Sequence, residues 1–239
     1  MTSMRYGRRV GERASGARAG ADLALTVVRV AAPLREQVLD VLRQAIVEQR
    51  LEPGHRLIER ELVEQIGVSR TTIREVLRQL DAEGLVTTIP QKGAVVAVPS
   101  AEEAAELYEV RAALEALAAR RFVERASESQ VAALRGALQE IQQVSRGGDV
   151  GARVRAKDRF YDVLLKGSGN RSVHAILAGL QARVSVLRRT SLSKPGRAKT
   201  SVAEIRAIVE AIEAGDADGA ARAAAAHVDH AARTGLGGA

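Results

Sequence analysis

"VSRTTIREVLRQLDAEG", residues 68–84, has the pattern of an amphipathic helix with a polar and basic first turn. Ser69 suits the N-cap position, where its hydroxyl can accept a hydrogen bond from a free backbone N–H. Gly84 suits the residue that ends such a helix. The apolar residues between them recur at helical spacing, at Ile73, Val76, Leu77 and Leu80. The stretch therefore predicts a helix that buries one face and leaves arginines and hydroxyls on the other.

Two helices are predicted before this segment. Apolar residues recur at helical spacing in "PLREQVLDVLRQAIVEQRLEPG", residues 33–54, and stop at the Pro-Gly turn. "RLIERELVEQIG", residues 56–67, predicts a short helix of about two turns. After the quoted helix, two β-prone runs flank the turn sequence "PQKG", residues 90–93, as in a hairpin. Three helices and a hairpin within residues 31–99 predict a winged helix-turn-helix domain.

The chain beyond Pro99 is predicted to be entirely helical. Amphipathic segments joined by short connections favour antiparallel packing into a bundle. These segments are residues 101–125, 128–146, 150–167, 170–192, 196–214 and 217–233. We therefore expect a mainly α protein, with an N-terminal winged helix-turn-helix followed by an antiparallel all-helical bundle of about six helices over residues 100–235.

Composition limits what the chain can be. Its 239 residues and 46% hydrophobic content suffice for two domains. The absence of cysteine excludes disulfides and zinc–thiolate sites. No segment has the length and apolar content of a membrane span or the form of a signal peptide. We therefore expect a cytoplasmic protein with no membrane partner.

The net charge of +7 is spread unevenly along the chain. Residues 1–30 carry about +4, residues 31–99 about −1 and residues 100–239 about +4. The first segment is rich in glycine, alanine and arginine, which predicts a disordered basic tail. Such a tail can add phosphate contacts to DNA binding or be a solvated extension without a role. A DNA-binding hypothesis therefore depends on where the arginines lie within residues 31–99.

The first turn of the quoted helix is the candidate DNA reader. Arg70, Thr71 and Arg74 lie near the end that a recognition helix inserts into the major groove. Arginine forks pair with guanine O6 and N7, and hydroxyls hold phosphates. Lys92 and Gly93, at the hairpin tip, can approach the minor groove or its phosphates. The alternative is an exposed helix with solvated arginines, and the ordered set of helices and hairpin disfavours it.

Residues 33–86 closely resemble the DNA-binding domain of the GntR family of bacterial transcription regulators. "LYEVRAALEALAA" at 107–119, "GN" at 169–170 and the ending at 210–228 resemble the all-helical, FCD-type effector domain of its FadR-like branch. The resemblance implies a homodimer on palindromic double-stranded DNA, with a small-molecule effector that alters DNA affinity. It places DNA contacts at Arg60, Ser69, Arg70, Thr71, Thr72, Arg74, Lys92 and Gly93. Thr72 stands where most relatives have proline, which leaves a hydroxyl for a phosphate.

The resemblance also implies a metal site, which this sequence alters. Many FadR-like effector domains bind a divalent metal with an Asp-x-x-Phe-His motif and two further histidines. Aligned on Phe160, this chain has Lys157 at the aspartate position and Tyr161 at the first histidine position. Ile205 stands at the next one, and only His227 is retained. One imidazole beside an ammonium cannot hold a metal ion, so we expect neither a metal nor another cofactor.

Four residues are expected to bind the effector instead. Lys157 can supply the positive charge that pairs with a carboxylate or phosphate, with Tyr161 and His227 as hydrogen-bonding neighbours. Arg111 is a second candidate, because relatives direct the matching arginine into the pocket. Each residue has a structural alternative: a surface lysine, a core-edge tyrosine, a structural histidine, and for Arg111 a salt bridge to Glu115 one turn on.

No motif for catalysis is present. With four histidines and no phosphate loop, nucleophile elbow or metalloprotease motif, an enzyme is not expected. "KGSGN", residues 166–170, lacks the strand and the second lysine of a phosphate loop and predicts a turn. We expect a ligand-responsive DNA-binding repressor. The alternative is an architectural DNA-binding dimer whose helical domain responds to no effector.

Overall fold

The computed structural model describes residues 32–147 and 149–237. The basic tail predicted for residues 1–30 lies outside these residues. Within them the chain forms a small domain of helices and a hairpin, followed by a helical bundle. No described helix is both long enough and apolar enough to cross a membrane.

The N-terminal domain contains the three predicted helices and the predicted hairpin. Their bounds are α1 (Ala32–Val47), α2 (Glu59–Ile66), α3 (Arg70–Ala82), β1 (Val86–Ile89) and β2 (Gly93–Val96). The two strands are antiparallel, and Val86 pairs with Val96. Together these elements form the winged helix-turn-helix that the sequence predicts.

The core of this domain forms because each helix has one apolar face. Ile73, Val76 and Leu80 of α3 have no exposed surface, and they pack with Val38 and Leu42 of α1. Removing a side chain of this size from water stabilises the fold by about 1.5–3 kcal/mol. The packing leaves the other face of α3 in solvent.

The second helix begins later than predicted, at Glu59, because the residues before it run along β2 in an extended conformation. The Leu57 N–H donates to the Ala94 carbonyl at 2.9 Å, and the Val96 N–H donates to the His55 carbonyl at 2.9 Å. These hydrogen bonds join segments far apart in sequence, and local periodicity carries no information about them.

The C-terminal domain contains six helices joined by short connections, as predicted. Their bounds are α4 (Ala101–Arg125), α5 (Glu128–Gly147), α6 (Val150–Gly167), α7 (Arg171–Leu192), α8 (Arg197–Glu213) and α9 (Ala217–Leu236). Ser100, Asp149, Asn170 and Asp216 each accept a hydrogen bond from a backbone N–H in the first turn of the helix that follows. Because such caps are local features of the sequence, most helix starts can be predicted from it.

The bundle core is built mainly from α4, α5, α6, α8 and α9. Phe122, Phe160 and Ile205 have no exposed surface and belong to one hydrophobic cluster. Gly167 lies against the Phe122 ring so closely that a Cβ at this position would overlap it. Phe160 packs edge-on against Tyr161, with ring centroids 5.4 Å apart and an interplanar angle of 88°.

Helix α7 belongs to the bundle and also contacts the N-terminal domain. Ala182 and Val186 pack against the core of the winged helix-turn-helix. The Arg189 Nε donates to the Gln49 side-chain oxygen at 3.1 Å. One face of α7 is therefore part of the N-terminal domain's packing.

Candidate DNA-binding surface and buried effector site

The N-terminus of α3 is held by the predicted cap. The Ser69 Oγ accepts a hydrogen bond from the Thr72 N–H at 3.1 Å and lies 2.8 Å from the Thr72 hydroxyl. The Thr72 hydroxyl is therefore hydrogen-bonded to Ser69 and not free. A phosphate oxygen at this position would contact both hydroxyls. Arg70 and Thr71 in the same turn are exposed.

Arg74 is held by an ion pair between α3 and α2. Its Nε lies 2.9 Å from both carboxylate oxygens of Glu59. Both side chains are partly exposed, so the pair adds little stability, but it orients the guanidinium along the surface. Arg60 follows Glu59 on α2 and is exposed. No local sequence pattern predicts this contact of Glu59, because only the packing of α2 on α3 brings it to Arg74.

The tip of the hairpin presents Lys92 and Gly93, both exposed. The Lys92 N–H closes the turn by donating to the Ile89 carbonyl at 3.1 Å. Gly93 has a φ of 83°, and no atom lies near the place of a Cβ. The conformation favours glycine, and the open space allows a close approach of another backbone.

A cluster of charged residues lies inside the bundle. Its members are Arg111, Glu115, Lys157, Arg188, Arg197, Glu204 and His227. Lys157 is only 4% exposed, so the alternative of a surface lysine is wrong. Buried charges are costly unless they are paired, which makes the partners of each group informative.

Lys157, His227 and Glu204 form a chain of contacts. The Lys157 Nζ lies 3.3 Å from the His227 Nε2, and the His227 Nδ1 lies 2.5 Å from a Glu204 oxygen. Because an ionised carboxylate only accepts hydrogen bonds, the His227 Nδ1 carries the proton and the Nε2 accepts from Lys157. Arg197 donates to the same Glu204 oxygen at 2.7 Å. His227 therefore has partners on both ring nitrogens, as a structural histidine does.

The surroundings shift the pKa of each group in this chain. Burial, and next the Lys157 charge, lower the pKa of His227 to about 3. Burial, and next the Arg197 guanidinium, hold the pKa of Lys157 well below its usual range. Burial alone would raise the pKa of Glu204, but hydrogen bonds from His227 and Arg197 prevail and lower it to about 2. A charged Glu204 thus adjoins a neutral His227 and a lysine that loses its proton easily.

Arg111 forms the predicted alternative contact, a salt bridge in which its Nε donates to a Glu115 oxygen at 3.0 Å. Arg188 lies 3.7 Å from the same oxygen and donates to an Asp158 oxygen at 2.5 Å. The Arg188 guanidinium also stacks on the Tyr161 ring, 4.1 Å from its centroid. The buried Tyr161 ring therefore packs between the Arg188 guanidinium and the hydrophobic core of the bundle.

Several donors of the cluster have no hydrogen-bond partner among the residues that the structure describes. They are Arg111 Nη1, Arg188 Nε, and Arg197 Nε and Nη1; the Tyr161 hydroxyl beside the cluster and the Glu115 Oε2 within it also have none. Burial would raise the pKa of Glu115, but the charges of Arg111 and Arg188, with a smaller contribution from Tyr161, prevail and lower it. A buried donor without an acceptor costs about 1–3 kcal/mol, and an anion among these groups would supply acceptors.

Arg188, Arg197 and Glu204 belong to the cluster but were not among the residues predicted from the sequence. The available signal was position on the helix, because Arg188 lies on the buried stripe of α7 with Val184 and Ser191. A charged side chain on such a stripe is either paired or functional. The pattern could mark Arg188 as buried, but not identify its partners.

The residues that the resemblance aligns with a metal site are packed against other protein groups. Ile205 is part of the hydrophobic core. The Lys157 Nζ contacts the His227 Nε2. The lone pair of this nitrogen is the one that would bind a metal ion. Within residues 32–147 and 149–237, no group of three or more His, Cys, Asp or Glu side chains is arranged to hold a metal ion.

The fold and the exposed face of α3 define a class of protein, the winged helix-turn-helix DNA-binding proteins with a helical C-terminal domain. The model of "Bacterial regulatory proteins, gntR family" matches residues 34–96, and the model of "FCD domain" matches residues 106–230. This chain therefore belongs to the GntR family and carries an FCD domain. It is a DNA-binding transcription regulator and not an enzyme.

Individual relatives agree with this assignment. The chain is 27% identical over 199 residues to an uncharacterized HTH-type transcriptional regulator, YdhC, of Bacillus subtilis, covering 83% of this chain and 89% of the relative. It is 30% identical over 197 residues to a probable D-xylose utilization operon transcriptional repressor of Paenarthrobacter nicotinovorans, covering 80% and 84%. A putative transcriptional regulator GntR from Rhodococcus sp. RHA1 shares the fold, with a TM-score of 0.74 at 23% identity over 87% of this chain and 99% of the other.

Proposed function

We propose that this chain is a ligand-responsive cytoplasmic repressor that binds a palindromic operator as a homodimer and changes its DNA affinity when a small anionic metabolite occupies the bundle. The observation that carries the proposal is the buried Lys157, which makes no ion pair with a described carboxylate and lies among guanidinium groups with unused donors. Repression as the mode is supported by the relative named as a D-xylose operon repressor.

The DNA contacts follow from the exposed face of α3 and the hairpin. Arg70 and Arg74 read base edges in the major groove, where each guanidinium can reach guanine O6 and N7. The remaining contacts are to phosphates or the minor groove, from Arg60, Ser69, Thr71, Thr72, Lys92 and Gly93. Arg74 reaches the DNA from its ion pair with Glu59, which holds it at the surface before binding.

The effector contacts follow from the buried cluster. An acidic group of the ligand favours the protonated form of Lys157 and pairs with that ammonium, and the Tyr161 hydroxyl and Arg111 Nη1 donate to it. His227 holds Lys157 in place through its Nε2. The lysine takes the position and the charge of a metal ion, so ligand binding requires no metal and no other cofactor.

The dimer surface that we propose is an apolar face of α4 and α7. Val110 of α4 is 41% exposed and Ile176 of α7 is 50% exposed. Leu114 and Leu117 of α4 are half-buried and pack against a small hydrophobic cluster of α4, α6 and α7. Large apolar side chains grouped on a surface commonly mark an interface, and a second copy of the chain would cover this face.

Helix α7 provides the connection between ligand and DNA. Arg188 contacts Glu115 and Asp158 in the buried cluster, and its neighbour Arg189 contacts Gln49 of the N-terminal domain. A ligand that draws Arg188 into a new contact therefore displaces a helix on which the DNA-binding domain packs. The ligand then makes different contacts in the two positions of α7. Coupling between the effector site and the DNA-binding domain requires such a difference.

Operator binding in the presence of candidate ligands tests the proposal. A fluorescent operator is first selected from random duplexes, and anisotropy then gives the affinity of the full chain with small carboxylates, sugar acids and sugar phosphates. We expect two protomers per duplex and at least one anion that changes the affinity in the wild type but not in Lys157→Met. Operator binding that no anion changes would instead support an effector-independent DNA-binding dimer.

A further inference from the structure

A small cavity lies beside Lys157, between α5, α6 and α8. Its polar lining consists of Arg153, Lys157, Ser145 and Ser201, and no carboxylate lines it. Its volume is about 10 Å³, which is room for about one water molecule. The polar side chains around it are thus two basic groups and two hydroxyls, and the remaining lining is apolar.

Two of these groups have hydrogen-bonding atoms that are not used. Ser201 is 1% exposed, and neither its Oγ nor the buried Nε of Arg153 has a partner among the described residues. Both can donate a hydrogen bond, and a buried donor without an acceptor is rare in folded proteins. Because both atoms lie at one cavity, a single acceptor there, a water or a ligand oxygen, could pair with both.

A basic groove on the surface adjoins this cavity. The groove runs between α5 and α8, has a volume of about 460 Å³ and shares Ser145 and Val202 with the cavity lining. Arg146, Lys199 and Arg206 line it, again without a carboxylate. Cations on the walls of a groove raise the local concentration of anions and speed their entry.

We propose that this groove is the entrance to the effector site and that Arg153 and Ser201 form a second anion subsite, so that the effector is a dicarboxylic acid. The inference rests on the proposed function, because Lys157 holds the first carboxylate. The second carboxylate accepts from the Arg153 Nε and the Ser201 hydroxyl. Since the cavity admits about one water, α5 and α8 separate as the ligand enters.

The test compares acids of equal chain length with one or two carboxylates. Calorimetric titration of the full chain uses butanoate against butanedioate, pentanoate against pentanedioate and hexanoate against hexanedioate. In at least one pair we expect the dicarboxylate to bind the wild type about tenfold more tightly or better. Arg153→Met and Ser201→Ala should each reduce this preference, and Lys157→Met should weaken both acids.

Arg155→Met is the matched control, because Arg155 lies on the same helix and faces Glu48 instead of the cavity. It should keep the preference for two carboxylates. Equal binding of both acids in every pair, or a preference that survives both Arg153→Met and Ser201→Ala, would overturn the second subsite and leave the Lys157 site standing. Failure of every acid to bind, or binding that Lys157→Met does not weaken, would overturn the proposed effector site and this inference together.

Discussion

The ammonium nitrogen of Lys157 lies 3.3 Å from the Nε2 of His227, while Glu204 holds the other nitrogen of that ring at 2.5 Å. Three titratable groups are thus joined in one chain inside the bundle. The stability of the fold and the affinity for an anion must therefore depend on pH, in directions that the pKa shifts determine.

Acidification should destabilise the protein through His227. The pKa of His227 is about 3 in the folded protein and 6.5 without the fold, so between these values the unfolded chain binds the additional proton. The unfolding free energy then falls as pH decreases, by at most about 1.4 kcal/mol per pH unit. Glu204, whose pKa is lowered from 4.5 to about 2, reduces the unfolding free energy further only as pH falls below about 4.5. Urea unfolding between pH 7 and 5 should show a steeper loss in the wild type than in His227→Gln; equal slopes would contradict the chain of contacts.

Alkaline conditions should stabilise the protein through Lys157. Its pKa is well below the ordinary 10.5, so between the two values the unfolded chain binds the additional proton and stability rises with pH. We expect the wild type to gain unfolding free energy relative to Lys157→Met as pH rises toward 10.5, by up to about 1.4 kcal/mol per unit. Lys166→Met, a change at an exposed lysine of the same helix, is the control and should follow the wild type.

Substitution of the α3 arginines should weaken operator binding without unfolding the protein. Arg70→Ala and Arg74→Ala should each lower specific affinity by about 1–3 kcal/mol, because each removes a guanidinium from the groove-facing end of the helix. Arg121→Ala, which removes an exposed arginine from the bundle, should leave affinity unchanged. Anisotropy titration measures the effect and melting temperature checks the fold. Unchanged binding in both α3 variants would remove α3 as the reading helix.

A charge on the apolar face of the bundle should dissociate the dimer. Ile176→Glu would place a carboxylate at the centre of the proposed interface, where its desolvation is costly. Sedimentation velocity should report a monomer for this variant and a dimer for the wild type. Val41→Glu is the control, because Val41 is 52% exposed but lies on α1. A dimer that survives Ile176→Glu would place the interface on another surface.

The two domains should unfold together because α7 packs into both. Val186→Asn places an amide among the apolar side chains of the N-terminal core and should weaken this contact by about 1–3 kcal/mol. Calorimetry is expected to show one transition in the wild type and a separated, earlier transition of the N-terminal domain in the variant. Two transitions already present in the wild type would mean that α7 does not couple the domains.

The sequence by itself determined the elements of this fold, because helix periodicity and caps are local. The spacing of Ile73, Val76 and Leu80 predicted the buried face of α3, and Ser69 predicted its beginning. The bundle helices were located in the same way, with ends that differ from the structure by at most about three residues. The salt bridge of Arg111 to Glu115 could also be anticipated, because it joins residues one turn apart.

Only the tertiary structure decided which groups meet across helices. The family resemblance placed His227 near Lys157, 70 residues away, but Glu204, which is 23 residues from His227, was joined to them by no local pattern and no resemblance. The late start of α2 and the pairing of Arg74 with Glu59 likewise depend on neighbours from other segments. The physical reason is that burial and charge pairing are set by which helix faces pack together, while periodicity reports only that each helix has a face to bury.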